Sequence, residues 1–464
     1  MKGGMNMALF LLIILVAAEI GFVIFESVRK SPDRKTWTVR RLIVDAAQLV
    51  IFFIMVLLPG IDTSFRFKGL IILLIVRIVV AAIFALVNRN RTDAKKTGLK
   101  IFSLIVSVFL ISNALIPAFL FNDYQGRPLT GPYTVAQCSC ILVDQDRVET
   151  FENDGSKREV PAYFYMPAEA KDGEKFPLVV FSHGAFGYYQ SNTSTYMELA
   201  SHGYAVVSIE HPYHSFFTKD TDGKTIIVDT DFINNALNVN SETTSEEEIY
   251  KVTREWMEVR VGDMNFALDS LIAGADSNDI SSYWFENDEA QKAVTDALSH
   301  IDTDKIGLMG HSMGGATSVE VGKLRNDIDA VIDIDGTMLG NMTGVENGKY
   351  IIDETTYTVP LFELMNAESH DELQDLATMD YPYPNIAIKD TASTYYYTYV
   401  EGSLHMDYTD LPLFAPFLAK MLGSGDVDHA FMTDTVNSLE VQFFDCYLKG
   451  EGQFSVNESY PGVN

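Results

Sequence analysis

Four long apolar runs open the chain, at about 7–25, 42–58, 70–87 and 99–121, each long enough to cross a hydrocarbon layer of about 30 Å as a helix. From Asn122 to Pro132 the chain turns polar and turn-rich, as a linker does. Beyond it the apolar runs are short: Phe176–Phe181, Gly203–Ile209, Ile306–Met309, Asp329–Gly336, Val359–Asn366 and Tyr396–Val400. Runs of that length, bounded by Gly, Pro or polar turns, predict buried strands of a parallel sheet. Residues 134–143 and 159–166 predict edge strands, with Asn153-Asp154-Gly155 as the turn between them. Helices are predicted at 191–202 and at 246–271. In the second, Ile249, Val252, Trp256, Val259 and Met264 recur near one face, and Glu246, Glu247 and Glu248 favour its N-terminus. Residues 215–300 read as a long polar insertion around that helix.

The charge divides the chain at the same place. Residues 1–122 hold 15 Lys and Arg against 6 Asp and Glu; the remainder holds 19 against 57, a net of −38. A module that acidic excludes polyanionic nucleic acid as a partner. In the apolar region the basic residues gather in two loops. One carries Arg29, Lys30, Arg34, Lys35, Arg40 and Arg41; the other carries Arg89, Arg91, Lys95 and Lys96. The positive-inside rule puts both loops in the cytoplasm, so both termini and the acidic module lie outside. Residues 1–122 therefore read as a four-helix transmembrane anchor, and 123–464 as an extracytoplasmic domain. Glu19, Asp45 and Arg77 fall within or beside the spans, where mutual pairing within the bundle or snorkelling is the expectation. Three cysteines form no disulfide framework, and no metal-ligand spacing occurs among them, so no metal site is expected.

The chemistry concentrates at Gly310-His311-Ser312-Met313-Gly314-Gly315-Ala316, a Gly-x-Ser-x-Gly turn between a strand and a helix. Such an elbow exposes the serine hydroxyl on a strained turn, and a Cβ at 310 or 314 would meet crossing backbone. The helix that follows aims its N–H groups at a developing oxyanion. Upstream, Ser182-His183-Gly184-Ala185-Phe186 ends a core strand where a second oxyanion donor is expected. The backbone N–H groups of Ala185 and Met313 are thus the predicted hole, with His183 a structural ring rather than a base. Downstream, His405 follows the last core strand and supplies the base that Ser312 needs. Two carboxylates compete to orient it, Asp335 one strand after the serine and Glu368 two strands after. Phe186, Phe216 and Phe217 are candidate substrate contacts. His211 and His214 read as ordinary loop histidines.

Phe181-Ser182-His183-Gly184, the elbow through Thr317, Ile334-Asp335-Gly336-Thr337-Met338 and Gly402-Ser403-Leu404-His405 together resemble the plasma-type platelet-activating-factor acetylhydrolases and their bacterial relatives. The likeness runs from about 132 to 450. It implies an α/β hydrolase fold, a mostly parallel sheet with helices on both faces, and it favours Asp335 over Glu368 as the acid. It also implies the same two oxyanion donors. The family's large aromatic residue two positions after the acid is Thr337 here, which leaves acyl-chain preference open. The expected protein is a membrane-anchored serine ester hydrolase on lipid esters, short-chain or oxidised phospholipids, working without metal or organic cofactor. The alternatives are a general carboxylesterase or polyester hydrolase, and a catalytically silent receptor or scaffold on the same fold.

Overall fold

The computed structural model describes residues 2–28, 33–239, 241, 243–378 and 382–464, without the side chains of residues 2–6. Arg29 and Lys30 of the first basic loop lie outside the described residues. The chain divides into two compact units, Met1–Gln125 with Leu413–Ala419, and Gly126–Pro412 with Lys420–Asn464.

The first unit is helical: α1 Lys2–Val28, α2 Arg34–Met55, α3 Phe65–Val87 and α4 Thr97–Ala114. Among the described residues three stretches are long and apolar enough to cross a membrane, Met7–Val28, Phe65–Val87 and Thr97–Ala114. That corrects the count of four. The run at 42–58 belongs to a helix that starts earlier, where the Asp33 side chain caps it by accepting from Thr36 N at 2.7 Å. Its first half therefore carries Arg34, Lys35, Arg40, Arg41 and Asp45 and is amphipathic rather than apolar. The fourth run is shorter than expected because Pro117 lies in its path; α4 ends at Ala114 and a short helix, Ile116–Leu120, follows. Leu11, Leu15, Phe52, Phe67, Leu70 and Ile111 form the unit's core. Glu19, Asp45 and Arg77 pair with one another and with their neighbours. Fully buried Glu19 accepts from Arg41 Nη1 at 2.6 Å, from Gln48 Nε2 at 2.9 Å and from Arg77, and Arg77 also bonds Asp45 at 2.7 Å.

The second unit is built on a ten-stranded sheet. In chain order its strands are β1 Val135–Val148, β2 Lys157–Pro167, β3 Phe176–Ser182, β4 Ala205–Ile209, β5 Tyr283–Trp284, β6 Ile301–His311, β7 Ala330–Ile334, β8 Leu361–Asn366, β9 Tyr395–Val400 and β10 Ser459–Tyr460. They lie side by side as β10-β9-β8-β7-β6-β3-β4-β2-β1-β5. From β4 to β10 every neighbour is parallel; β2, β1 and β5 are antiparallel additions. The predicted edge position therefore holds for neither of the first two strands. β2 sits between β1 and β4, and even β1 has the two-residue β5 beyond it.

Alternation along the strands feeds two cores, one per face. Leu178 and Val180 of β3 join Met264, Leu268, Val294, Leu298 and Val319 on one face. Val179 and Phe181 join Tyr196, Leu199, Val436 and Phe443 on the other. The first layer comes from α5 Thr193–Ser201's opposite side of the sheet: α6 Glu246–Ser277, α7 Asp288–Ser299 and α8 Met313–Leu324. The second comes from α5 and a C-terminal helix, His429–Phe444. So most of 215–300 is not an insertion. Met264, Ala267, Leu268, Leu271 and Leu298 are core residues, and the polar composition reflects the outward faces of α6 and α7. The part outside the sheet and its covering helices is a short hairpin, 217–227, and a helix, Thr230–Val239.

Candidate active site

Ser312 stands between β6 and α8 with φ 57° and ψ −125°, a left-handed conformation that only surrounding structure can hold. Its N–H donates to Ile334 O at 2.7 Å, which ties the elbow to the neighbouring strand β7. The glycines are explained by close backbone. A Cβ on Gly314 would lie 1.9 Å from Ser182 O, and one on Gly310 would lie 2.3 Å from the Gly314 carbonyl carbon. At Gly315 the obstacle is a side chain, Asp333 Oδ1 at 1.7 Å.

Asp335 continues from the end of β7, also in a left-handed turn at φ 55°. Its Oδ2 lies 2.5 Å from His405 Nδ1, and it accepts from Asn366 N at 2.8 Å and Asn366 Nδ2 at 2.6 Å. Burial pushes the Asp335 carboxyl up, but the bonds from His405 and Asn366 outweigh it and hold the group below the ordinary aspartate range. The carboxylate is thus charged and fixed against one ring nitrogen, while the His405 side chain is 44% exposed. Glu368 is exposed on the first turn of the helix Ala367–Ala377, and Asn366, the cap of that helix, contacts Asp335 in its place. His311 Nε2 lies 3.1 Å from His405 O; burial, then the neighbouring His405, push the His311 ring down to about 3. A neutral His311 therefore donates to the carbonyl of the His405 loop.

The candidate oxyanion loop follows β3. Gly184 packs against the elbow, for a Cβ there would come within 3.1 Å of Ser312 Cβ. Phe186 has φ 60°, and its N–H donates to His214 O at 3.1 Å, leaving Ala185 between the two. Met313, the first residue of α8, has an N–H without an intrahelical acceptor by helix geometry. His183 keeps to the structural role: Nδ1 lies 2.7 Å from Gly184 O and Nε2 2.9 Å from Ser215 Oγ. Phe186, Phe216 and Phe217 are exposed, and Phe216 N donates to Gly187 O at 2.8 Å, joining the 211–217 loop to the oxyanion loop.

Several residues that hold this loop escape a reading of the sequence. Arg260, fully buried on α6, donates to His183 O and to Gly184 O, the latter at 3.2 Å. Asp263, one turn on, accepts from Arg158 Nη2 at 2.6 Å and Arg147 Nη2 at 2.9 Å, and lies 3.0 Å from His211 Nδ1. His211 and His214 are therefore buried network members and not ordinary loop residues. Burial, then Arg260, keeps both rings neutral, His211 at about 4. The available signal was two opposite charges, Arg260 and Asp263, on the helix face that also carries Trp256 and Met264. Among the described residues no group of three or more His, Cys, Asp or Glu side chains is arranged to hold a metal ion.

Comparison with known proteins bears on this geometry. The model of the family described as platelet-activating factor acetylhydrolase, isoform II, matches residues 151–460. Platelet-activating factor acetylhydrolase of Canis lupus familiaris is 25% identical over 300 residues, 62% of this chain and 60% of that protein. The Cavia porcellus protein of the same name is 24% identical over 308 residues, 62% of this chain and 61% of its own length. The match thus spans about three fifths of these curated relatives. A ferulic acid esterase from Streptomyces cinnamoneus superposes with a TM-score of 0.50 at 20% identity, covering 70% of this chain and 93% of the esterase, a likeness of fold.

Proposed function

Because this chain belongs to the platelet-activating factor acetylhydrolase, isoform II, family, we propose that it is a serine ester hydrolase, anchored in a membrane, whose substrates are lipid esters. Ser312 Oγ attacks the ester carbonyl while His405 Nε2 takes its proton. The N–H groups of Ala185 and Met313 meet the oxyanion, in a region where the protein's own dipoles replace water. Collapse of the tetrahedral species expels the alcohol, protonated by His405, and leaves an acyl-serine. Water then repeats the sequence, with His405 first base and then acid, and a carboxylic acid departs. Asp335 holds the His405 tautomer and stabilises the imidazolium. One observation carries the reading: the His405–Asp335 bond at 2.5 Å, with the His405 ring 4.5 Å from that of His311, the residue before Ser312 on a strained elbow.

The exposed rings of Phe186, Phe216 and Phe217 suit an apolar acyl chain, and short-chain or oxidised phospholipids are the substrate class we favour. The anchor reading rests on the three apolar helices. It gains from the bonding of the basic start of α2 to the second basic loop, with Arg34 N donating to Asp93 O at 3.0 Å and Arg34 Nε 2.6 Å from Asp93 Oδ2. Loops held at one end of the bundle share one side of a membrane, and their charge assigns that side to the cytoplasm.

The test uses the full chain in detergent, with p-nitrophenyl esters from acetyl to palmitoyl and Ser312→Ala as control. Serine-dependent turnover that favours short acyl groups supports the acetylhydrolase-like reading; a long-chain preference shifts it to bilayer lipids of ordinary length. Equal turnover in Ser312→Ala would end the assignment.

A further inference from the structure

The first unit carries a groove of about 720 Å³ between α2, α3 and α4. Its two ends differ. Along most of its length the walls are Val80, Phe84, Phe102 and Val106, all exposed apolar side chains of α3 and α4. At the end formed by the basic loops it is lined by Arg34, Arg91 and Lys95, and deeper in by Arg77 and Arg41. Asp45 is the acidic member of the lining, and its carboxylate is already engaged by Arg77 and Arg41. Arg34 is paired with Asp93 Oδ2 at 2.6 Å, but among the described residues no carboxylate forms an ion pair with Arg91 or Lys95, and Lys95 Nζ instead stands 4.3 Å from the Trp37 ring centre. Arg77 adds an independent sign. Its Nη1 is buried and has no hydrogen-bond partner among the described residues, although the same guanidinium satisfies Glu19 and Asp45 through Nη2.

A buried donor without an acceptor costs free energy that a ligand oxygen would relieve. Cations at one end and a long apolar trough at the other match an amphiphile with a negative headgroup, as basic pockets between membrane helices do. We infer that this groove is a binding site for an anionic glycerophospholipid, its phosphate among Arg34, Arg91 and Lys95 and its acyl chains along α3 and α4. A small free anion has no use for the apolar walls, and a zwitterionic lipid would bring a second cation to a cationic rim. The site lies at the end of the bundle assigned to the cytoplasm. It rests on the anchor reading of this unit and is independent of the ester chemistry.

The full chain is placed in nanodiscs of equal phosphatidylglycerol and phosphatidylcholine, and lipids that stay bound after release into detergent are counted by native mass spectrometry. Phosphatidylglycerol is expected to be enriched about tenfold over phosphatidylcholine. The double variant Arg91→Gln with Lys95→Gln loses that enrichment, whereas Arg89→Gln with Lys96→Gln, in the same loop but outside the groove lining, keeps it. A retained ratio of one to one, or equal loss in both double variants, overturns the site. A chain that fails to enter nanodiscs overturns the anchor itself, and ester turnover measured in parallel keeps either failure separate from that of the hydrolase reading.

Discussion

His211 Nδ1 lies 3.0 Å from Asp263 Oδ2 while its Nε2 lies 2.9 Å from Ser182 Oγ, a Ser-His-Asp chain separate from the proposed one of Ser312, His405 and Asp335. Connectivity alone does not choose between them. Access does: Ser182, His211 and Asp263 are all fully buried, whereas Ser312 is half-buried on an elbow and His405 is open to solvent. Charge agrees. Asp263 is engaged by Arg158 and Arg147, and against the push of burial Arg158, then the bond from His211, hold it well below the ordinary range. A buried His211 already kept neutral beside two arginines cannot take up a serine proton at low cost. Ser312→Ala is therefore expected to lower kcat by about 10³-fold or more. Ser182→Ala should leave kcat within about threefold while lowering stability by about 1–2 kcal/mol for the lost buried bond. Steady-state kinetics with urea unfolding of both variants separates the two roles.

The proposed orienting acid is tested by a similar contrast. Asp335→Asn keeps the shape but offers His405 Nδ1 either an amide N–H or a neutral oxygen, so the tautomer and the imidazolium both lose support. A loss in kcat of about 10⁴-fold is expected. Glu368→Gln changes an exposed side chain on a helix's first turn and should alter kcat by less than about twofold. A large loss in the second variant with a small one in the first would reverse the assignment.

What could be read from the sequence follows from what is local. The elbow and the short buried strands are contiguous patterns, and each appears where its residues predicted, whereas Arg34, Lys35, Arg40 and Arg41 of the expected first basic loop belong to α2. Asp335 needed more. Its claim over Glu368 rests on β7 being adjacent to β6 and on Asn366 filling the space near it, relations set by sheet order. The network of Arg158, His211, Arg260 and Asp263 was hidden for the same reason, since its members come from β2, a loop and α6 and meet only across the fold. The start of α2 was misjudged because apolarity marks only the part of a helix that faces lipid or core. The cap at Asp33 and the charged first turns carry the rest.

Arg260 makes a structural claim that can be tested by its chemistry. Its guanidinium bonds the carbonyls of His183 and Gly184, which fixes the peptide run that leads to the proposed oxyanion donor Ala185. Burial lowers its pKa to about 9, with Asp263 and Glu210 opposing, so it stays charged at neutral pH. Arg260→Met is expected to cost about 3–5 kcal/mol in stability, because buried partners lose their cation. Arg260→Lys should retain more of the fold yet lower kcat by about tenfold or more at little change in KM, since a point charge cannot bridge two carbonyls in the same plane. Equal losses of kcat/KM through KM alone would show that the clamp serves binding and not the oxyanion.

The acid limb of stability should carry the signature of a second carboxyl pair beneath the site. Asp333 is fully buried against Gly315, and Glu363 on the adjacent strand β8 accepts from Asn385 Nδ2 at 2.7 Å and from Tyr395. Burial raises Glu363 to about 7 and Asp333 well above its ordinary value, and each is pushed further by a neighbouring carboxylate. A carboxyl whose folded pKa exceeds its unfolded value binds its proton more tightly when folded. Its contribution is complete below the unfolded pKa and is lost as pH rises through the folded one. Glu210, raised to about 7, and Asp410, raised to about 6, act in the same sense, while Asp335 and Asp263 act oppositely, at lower pH. Unfolding free energy should therefore fall between about pH 4.5 and 7, and Glu363→Gln should flatten part of that fall while leaving the more acidic limb in place. Because Asn385 also bonds Gly336 O and Met338 N, beside Asp335, the same variant tests whether the pair reaches the reaction. A kcat–pH profile that shifts with Glu363→Gln means the buried pair sets the position of Asp335, and an unchanged profile confines it to stability.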